Sequence, residues 1–207
     1  MPAKNDARKD RGDRTRQQLL LATRKLISER GMVDVHLREV SEAAGVNVAA
    51  VSYHFGSLSN LVNAAVRDAV DAAIGEQARR LASLQADAGL ADVVAAWISP
   101  TVHGLQEAPE ELILLGIASR ALSDTPQELR EWAQEVLERT QGLLIDRLRP
   151  ILSNLDEEEL AFRVFCVGGI VNRFHTAAEL PASAAVPSAA LERFLVSAIT
   201  GLLSAPS

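Results

Sequence analysis

One stretch restricts the chain more than any other. AGVNVAAVSYHFGS, residues Ala44–Ser57, is small and apolar and holds the only tyrosine of the sequence. It has too few large apolar residues for an ordinary core helix. Leu37, Val40 and Ala44 before it share one helical face, so a short helix is expected over Leu37–Ala44. Gly45 ends that helix, because glycine takes a positive φ at little cost. Asn47 can accept from an orphan N–H of a first turn, so a further short helix is expected over Val48–His54. Two short helices joined by a glycine-containing turn form a helix-turn-helix, expected at about residues 36–55. The steep crossing needs small side chains, which Ala43, Ala44 and Gly45 supply. Val46, Val51 and Phe55 are then expected to pack on a preceding helix. His36 sits at the capping position before the first of the two.

Periodicity extends the helical reading along the chain. Leu19, Leu20, Ala22, Thr23, Leu26 and Ile27 recur at helical spacing, giving a first helix from about Arg14 to Arg30. Later helices are expected at Ser59–Asp87, Leu90–Leu105, Glu110–Ser123, Pro126–Leu152, Glu157–Glu179 and Ser188–Leu203, parted by breakers such as SDTP and ELPASAAVP. No strand alternation appears. The expected class is all-α, with a three-helix N-terminal unit followed by a larger helical domain.

Charge is divided along the chain. Net charge is −6, but residues 1–67 hold 11 Lys+Arg against 7 Asp+Glu, while residues 68–207 hold 10 against 20. A basic end on an acidic protein points to a nucleic-acid or membrane contact there. A hydrophobic fraction of 48% supports a real core. No apolar run reaches membrane-spanning length, and no membrane partner is expected. A single cysteine, Cys166, excludes an internal disulfide framework. The expectation is a soluble cytoplasmic protein without cofactor or metal. An enzyme is disfavoured: there is no metal-ligand cluster, nucleophile motif or phosphate loop. His103 and His175 stand apart, and Glu157–Glu159 reads as a helix start favoured by the dipole.

In DNA-binding helix-turn-helices the second helix enters the major groove and presents small or polar groups. Val48, Ala49, Ala50 and Ser52 suit that role, with Tyr53 and His54 at the helix end within reach of phosphates. At these residues the sequence resembles the TetR family of transcriptional regulators. The resemblance rests on ISERG closing the first helix, on LREVSEAAGVNVAAVSYHFGS, and on Leu61; it covers about residues 12–70. Two positions depart from the family pattern. Ser52 stands where many members carry tyrosine, and Leu58 where a phosphate-contacting lysine is usual. Losing a cation weakens the salt-dependent part of binding, for which Arg14, Arg16 and Arg38 are the replacement contacts. The candidate DNA-binding set is therefore Arg14, Arg16, Arg38, Asn47, Val48, Ala49, Ala50, Ser52, Tyr53 and His54.

The resemblance implies a DNA-binding domain over residues 12–72 and a ligand-binding and dimerisation domain over 73–207, the last two helices pairing across a two-fold axis. Gly168 and Gly169, inside an apolar helix, independently suggest close approach of another helix. The candidate dimer contacts are Cys166, Gly168, Gly169, Arg173, Leu191, Phe194, Leu195, Ala198 and Leu202. The candidate effector contacts on the middle helices are Trp97, His103, Leu114, Arg120 and Trp132. The expected function is that of a ligand-responsive homodimer, a repressor of an inverted-repeat operator on double-stranded DNA, released by a small apolar molecule. The alternative is a ligand-independent architectural or protein-interaction factor of the same fold.

Overall fold

A computed structural model describes residues 3–30, 32, 34–107, 112, 116, 127–176 and 188–206. Among them lie eight helices and no strand: α1 (Ala3–Arg30), α2 (Leu37–Ala43), α3 (Ala49–Phe55), α4 (Leu58–Ser83), α5 (Leu90–Glu107), α6 (Gln127–Leu148), α7 (Glu157–Thr176) and α8 (Ser188–Leu203). The all-α class is as the periodicity indicates. The helix expected at Glu110–Ser123 lies outside the described residues except for positions 112 and 116. The chain forms two compact units, Met1–Val70 and Asp71–Ser207, divided within α4.

Several helix ends differ from the sequence expectation, for local reasons. α1 begins at Ala3, well before Arg14; its first turns are charged and polar, so apolar periodicity is silent there, yet Ala, Arg and Lys are good helix formers. α6 stops at Leu148 rather than Leu152, because Pro150 disfavours helical geometry at Arg149. The start of α7 is capped by Asp156, whose Oδ1 accepts from the Glu159 N–H at 2.8 Å, with three glutamates in the first turn. α5 runs through Pro100, which removes one backbone donor. Nearby, the buried Gln77 amide donates to the Trp97 carbonyl at 3.1 Å.

The first unit packs Leu19, Leu20, Leu26 and Ile27 of α1, Val40 of α2, Val51 of α3 and Leu61, Ala65 and Val66 of α4 into one buried set. Arg24 joins α1 to α4 by an ion pair with Asp68 and a bond to the Ala65 carbonyl. In the second unit, Val93, Val94, Trp97 and Ile98 of α5 share a core with Leu144 and Leu148 of α6, Leu160, Val164 and Val167 of α7, and Leu195, Ile199 and Leu203 of α8. Arg163 of α7 is buried there and closes the end of α8. Its Nη1 donates at 2.7 Å to the carbonyls of Leu203 and Ala205, and its Nη2 pairs with Glu159.

Candidate DNA-binding interface

The turn between α2 and α3 is built by two backbone bonds and one glycine. The Val46 N–H donates to the Ser41 carbonyl at 2.9 Å, and the Gly45 N–H to the Glu42 carbonyl at 3.0 Å. This is a Schellman closure, which needs a left-handed residue at its centre; Gly45 supplies it with φ 64°. Beyond the turn, Asn47 Oδ1 accepts from the Ala49 N–H at 2.8 Å and caps the new helix as expected. Gly56, at φ 77°, ends α3. Asn60 then ties two helices together. Its side-chain amide donates to the Phe55 carbonyl at 2.9 Å, and its own N–H donates to Ser57 Oγ at 3.1 Å. Asn60 had no signal in the sequence reading, since its role depends on the tight α3–α4 corner.

Val51 is buried and holds α3 on the unit's core. Asn47, Val48, Ala49, Ser52 and Tyr53 are left exposed, with Tyr53 at 81%. Ala50, His54 and Phe55 are half-buried, so Ala50 is turned partly inward, unlike the three other small residues expected to face the groove. His54 stacks edge-on against Tyr53, ring centres 4.9 Å apart, and lies beside Gly12 of α1. The Arg16 guanidinium lies over the Phe55 ring at 5.3 Å, which fixes a cation next to the end of α3. Arg14, Arg16 and Arg38 are all exposed. His36 precedes α2 as expected, but its side chain makes no capping bond. Leu58 is half-buried at the start of α4.

The second unit treats its candidates unequally. Trp97 is 3% exposed within the core, and its indole N–H has no partner among the described residues. His103 is exposed, with Nδ1 3.6 Å from the Glu107 carboxylate, so it faces outward rather than into a pocket. Trp132 is half-buried; Leu114 and Arg120 lie outside the described residues. An open groove of about 500 Å³ is lined by Ala91, Glu192, Arg193, Val196, Ser197 and Thr200, none of them among the expected effector contacts.

The candidate dimer contacts divide in the same way. Gly169, Arg173, Phe194 and Ala198 are exposed. Among the described residues, a Cβ at Gly169 would meet nothing within 4 Å, whereas one at Gly168 would lie 3.6 Å from Gln141 of the same chain. Gly168 therefore faces an intrachain helix. Leu195 is likewise spent inside, in the core of its own unit; its i+4 partner Ile199 shares that inner face. Leu191 and Leu202 pack at the core's edge, and Cys166 is a half-buried free thiol. Two exposed aromatic residues carry no signal in the sequence: Phe162 at 65% and Phe165 at 60% exposure on α7; Phe194 on α8 is exposed at 55%. α7 is apolar nearly all round, so periodicity alone could not say which face is left open.

The first unit thus defines a helix-turn-helix protein of the DNA-binding class. Residues 19–65 match the family model for bacterial regulatory proteins, tetR family. The chain is 27% identical over 155 residues to the HTH-type transcriptional repressor AcnR of Corynebacterium glutamicum, covering 73% of this chain and 71% of AcnR. Its fold is similar to that of a TetR-like transcriptional regulator from Rhodococcus sp. RHA1, with TM-score 0.72, 13% identity, and 93% and 97% of the two chains covered. It is also similar to that of the fatty acid degradation regulator FadR from Bacillus halodurans, with TM-score 0.71, 16% identity, and 92% and 96% covered. The helix-turn-helix of the first unit is thus that of the bacterial tetR-family regulatory proteins, and the chain as a whole is similar in sequence to one transcriptional repressor and in fold to several transcriptional regulators.

Proposed function

We propose that the chain is a homodimeric repressor that binds an inverted-repeat operator and is released by a small, largely apolar effector. On this reading residues 12–72 bind DNA, residues 73–207 bind effector and partner, and the protein works in the cytoplasm without enzymatic activity. The observation that carries it is the outer face of α3: a short helix held rigidly by two glycines, an Asn cap and Val51, with Tyr53 and a row of small residues left to solvent and arginines on the flanking helices. Rigid presentation is what groove reading requires. Dimerisation is supported by the exposed apolar stripe Phe162, Phe165 and Gly169, at helical spacing on one face of α7, and by exposed Phe194 and Ala198 on α8; exposed apolar surface of this kind marks an interaction site. A two-fold pairing of such patches matches a palindromic site. For the effector, the support is the buried Trp97 N–H, unpaired among the described residues, inside a largely aliphatic core, since a buried donor left unmade is costly and an effector acceptor would satisfy it. Among the described residues no helix is long and apolar enough to cross a membrane.

The test is selection of bound duplex from random sequence with the full-length chain, followed by a metabolite screen for release. An enriched inverted repeat and a releasing compound are expected. An inverted repeat with no releasing or thermally stabilising compound supports the architectural alternative, and no enrichment at all contradicts both.

A further inference from the structure

We propose that α3 reads the centre of each half-site through thymine C5-methyl groups, packed against Val48 and Ala49, and makes no bidentate guanine contact. The proposal rests on the DNA-binding reading above and specifies the bases it selects. Guanine is read in the major groove by Arg or Lys bridging O6 and N7. From Glu39 to Val66 the sequence holds no Lys or Arg, so neither α3 nor the turns on either side of it carries such a group. The nearby arginines belong to other helices: Arg38 to α2, and Arg14 and Arg16 to α1, with Arg16 held over Phe55.

Adenine is read bidentately by Asn or Gln, which must offer an acceptor to N6 and a donor to N7 along one outward edge. α3 has one such candidate, Asn47 at its start. Its Oδ1 is engaged with the Ala49 N–H at 2.8 Å, which turns the amide edge toward the helix it caps. What remains on the exposed face is Val48, Ala49, Ser52 and Tyr53. Positions 49, 52 and 53 share one face of the helix, and Val48 lies one turn before Ser52. Two of the four end in methyl groups alone. The other two end in hydroxyls, which donate or accept and so accommodate more than one base or a phosphate. The chemical complement of exposed methyls in the major groove is the thymine methyl.

The test uses the full-length chain and a duplex obtained by selection from random sequence. Thymine is replaced by deoxyuridine at the half-site centre, which removes only the methyl, and in a control duplex outside the half-sites. Each buried methyl contributes about a fourfold change in affinity, so loss of one contacted methyl in both half-sites weakens binding by roughly fifteenfold. The control is expected to bind as the parent does. Val48→Ala is expected to reduce the thymine-to-uracil ratio, because the partner of the methyl has been removed. The uracil series on the unaltered protein stands without that variant, should the variant fold poorly. The proposal is overturned if uracil at the half-site centre leaves affinity within twofold of the parent, or if selection enriches guanine there. Failure to bind any duplex at low salt overturns the DNA-binding reading itself, and the proposal with it.

Discussion

Replacing Phe165 by Ala tests the open face of α7. The ring is 60% exposed in the isolated chain, so truncation removes little from the chain's own core. An aromatic side chain carries roughly 200 Å² of burial, which leaves about 120 Å² for a partner to cover. At about 25 cal/mol per Å² this is about 3 kcal/mol, and about 2 kcal/mol after allowing for the Cβ that alanine retains and for incomplete coverage. In a two-fold dimer each substitution occurs twice, so dimerisation loses about 4 kcal/mol, or roughly a thousandfold in dissociation constant. Sedimentation velocity from nanomolar to tens of micromolar protein reads this directly, with far-ultraviolet circular dichroism showing that the helices persist. A variant that stays helical and sediments as the parent does at every concentration refutes the assignment of this face.

Gly169→Leu acts on the same face by a different route: its Cβ has open space in the protomer, so the variant is expected to fold yet lose the dimer, seen as monomer in sedimentation, because the added bulk holds the partner helix away. Arg163→Met removes the buried guanidinium that bonds the Leu203 and Ala205 carbonyls and pairs with Glu159; a loss of about 3 kcal/mol is expected in denaturant unfolding, and a loss under 0.5 kcal/mol contradicts the role given to it. Gly45→Ala places a Cβ at φ 64° with no atom in its way, so its cost is conformational alone, about 1–2 kcal/mol by thermal unfolding, with Gly45→Asn losing less.

The helix-turn-helix was legible because its determinants are local. A glycine at the turn, an Asn cap and a run of small residues each act within a few positions of themselves, and each appears in the structure where the sequence put it. The start of α1 was not legible, since an exposed, charged helix carries no apolar period. Nor was the sorting of α7 and α8 into inner and outer faces. Gly168 and Gly169 are neighbours in sequence, yet one faces Gln141 and the other open space; only the placement of α6 decides which. Leu195 and Phe194 part in the same way. His103 reads as a polar group on an apolar helix, but the turn of α5 that carries it points toward Glu107 and solvent.

The central claim is that the basic first unit binds DNA through its flanking arginines and the outer face of α3, and salt dependence tests it most directly. Binding of the full-length chain to the selected duplex is measured by fluorescence anisotropy between 50 and 200 mM salt, concentrations at which counterion release is readily resolved. With Arg14, Arg16 and Arg38 on phosphates in each protomer of a dimer, the slope of log affinity against log salt is expected to be about −5, a fall of about a thousandfold across that range. An affinity that is flat over the same range, or that is equal for the selected duplex and a scrambled one, contradicts the account.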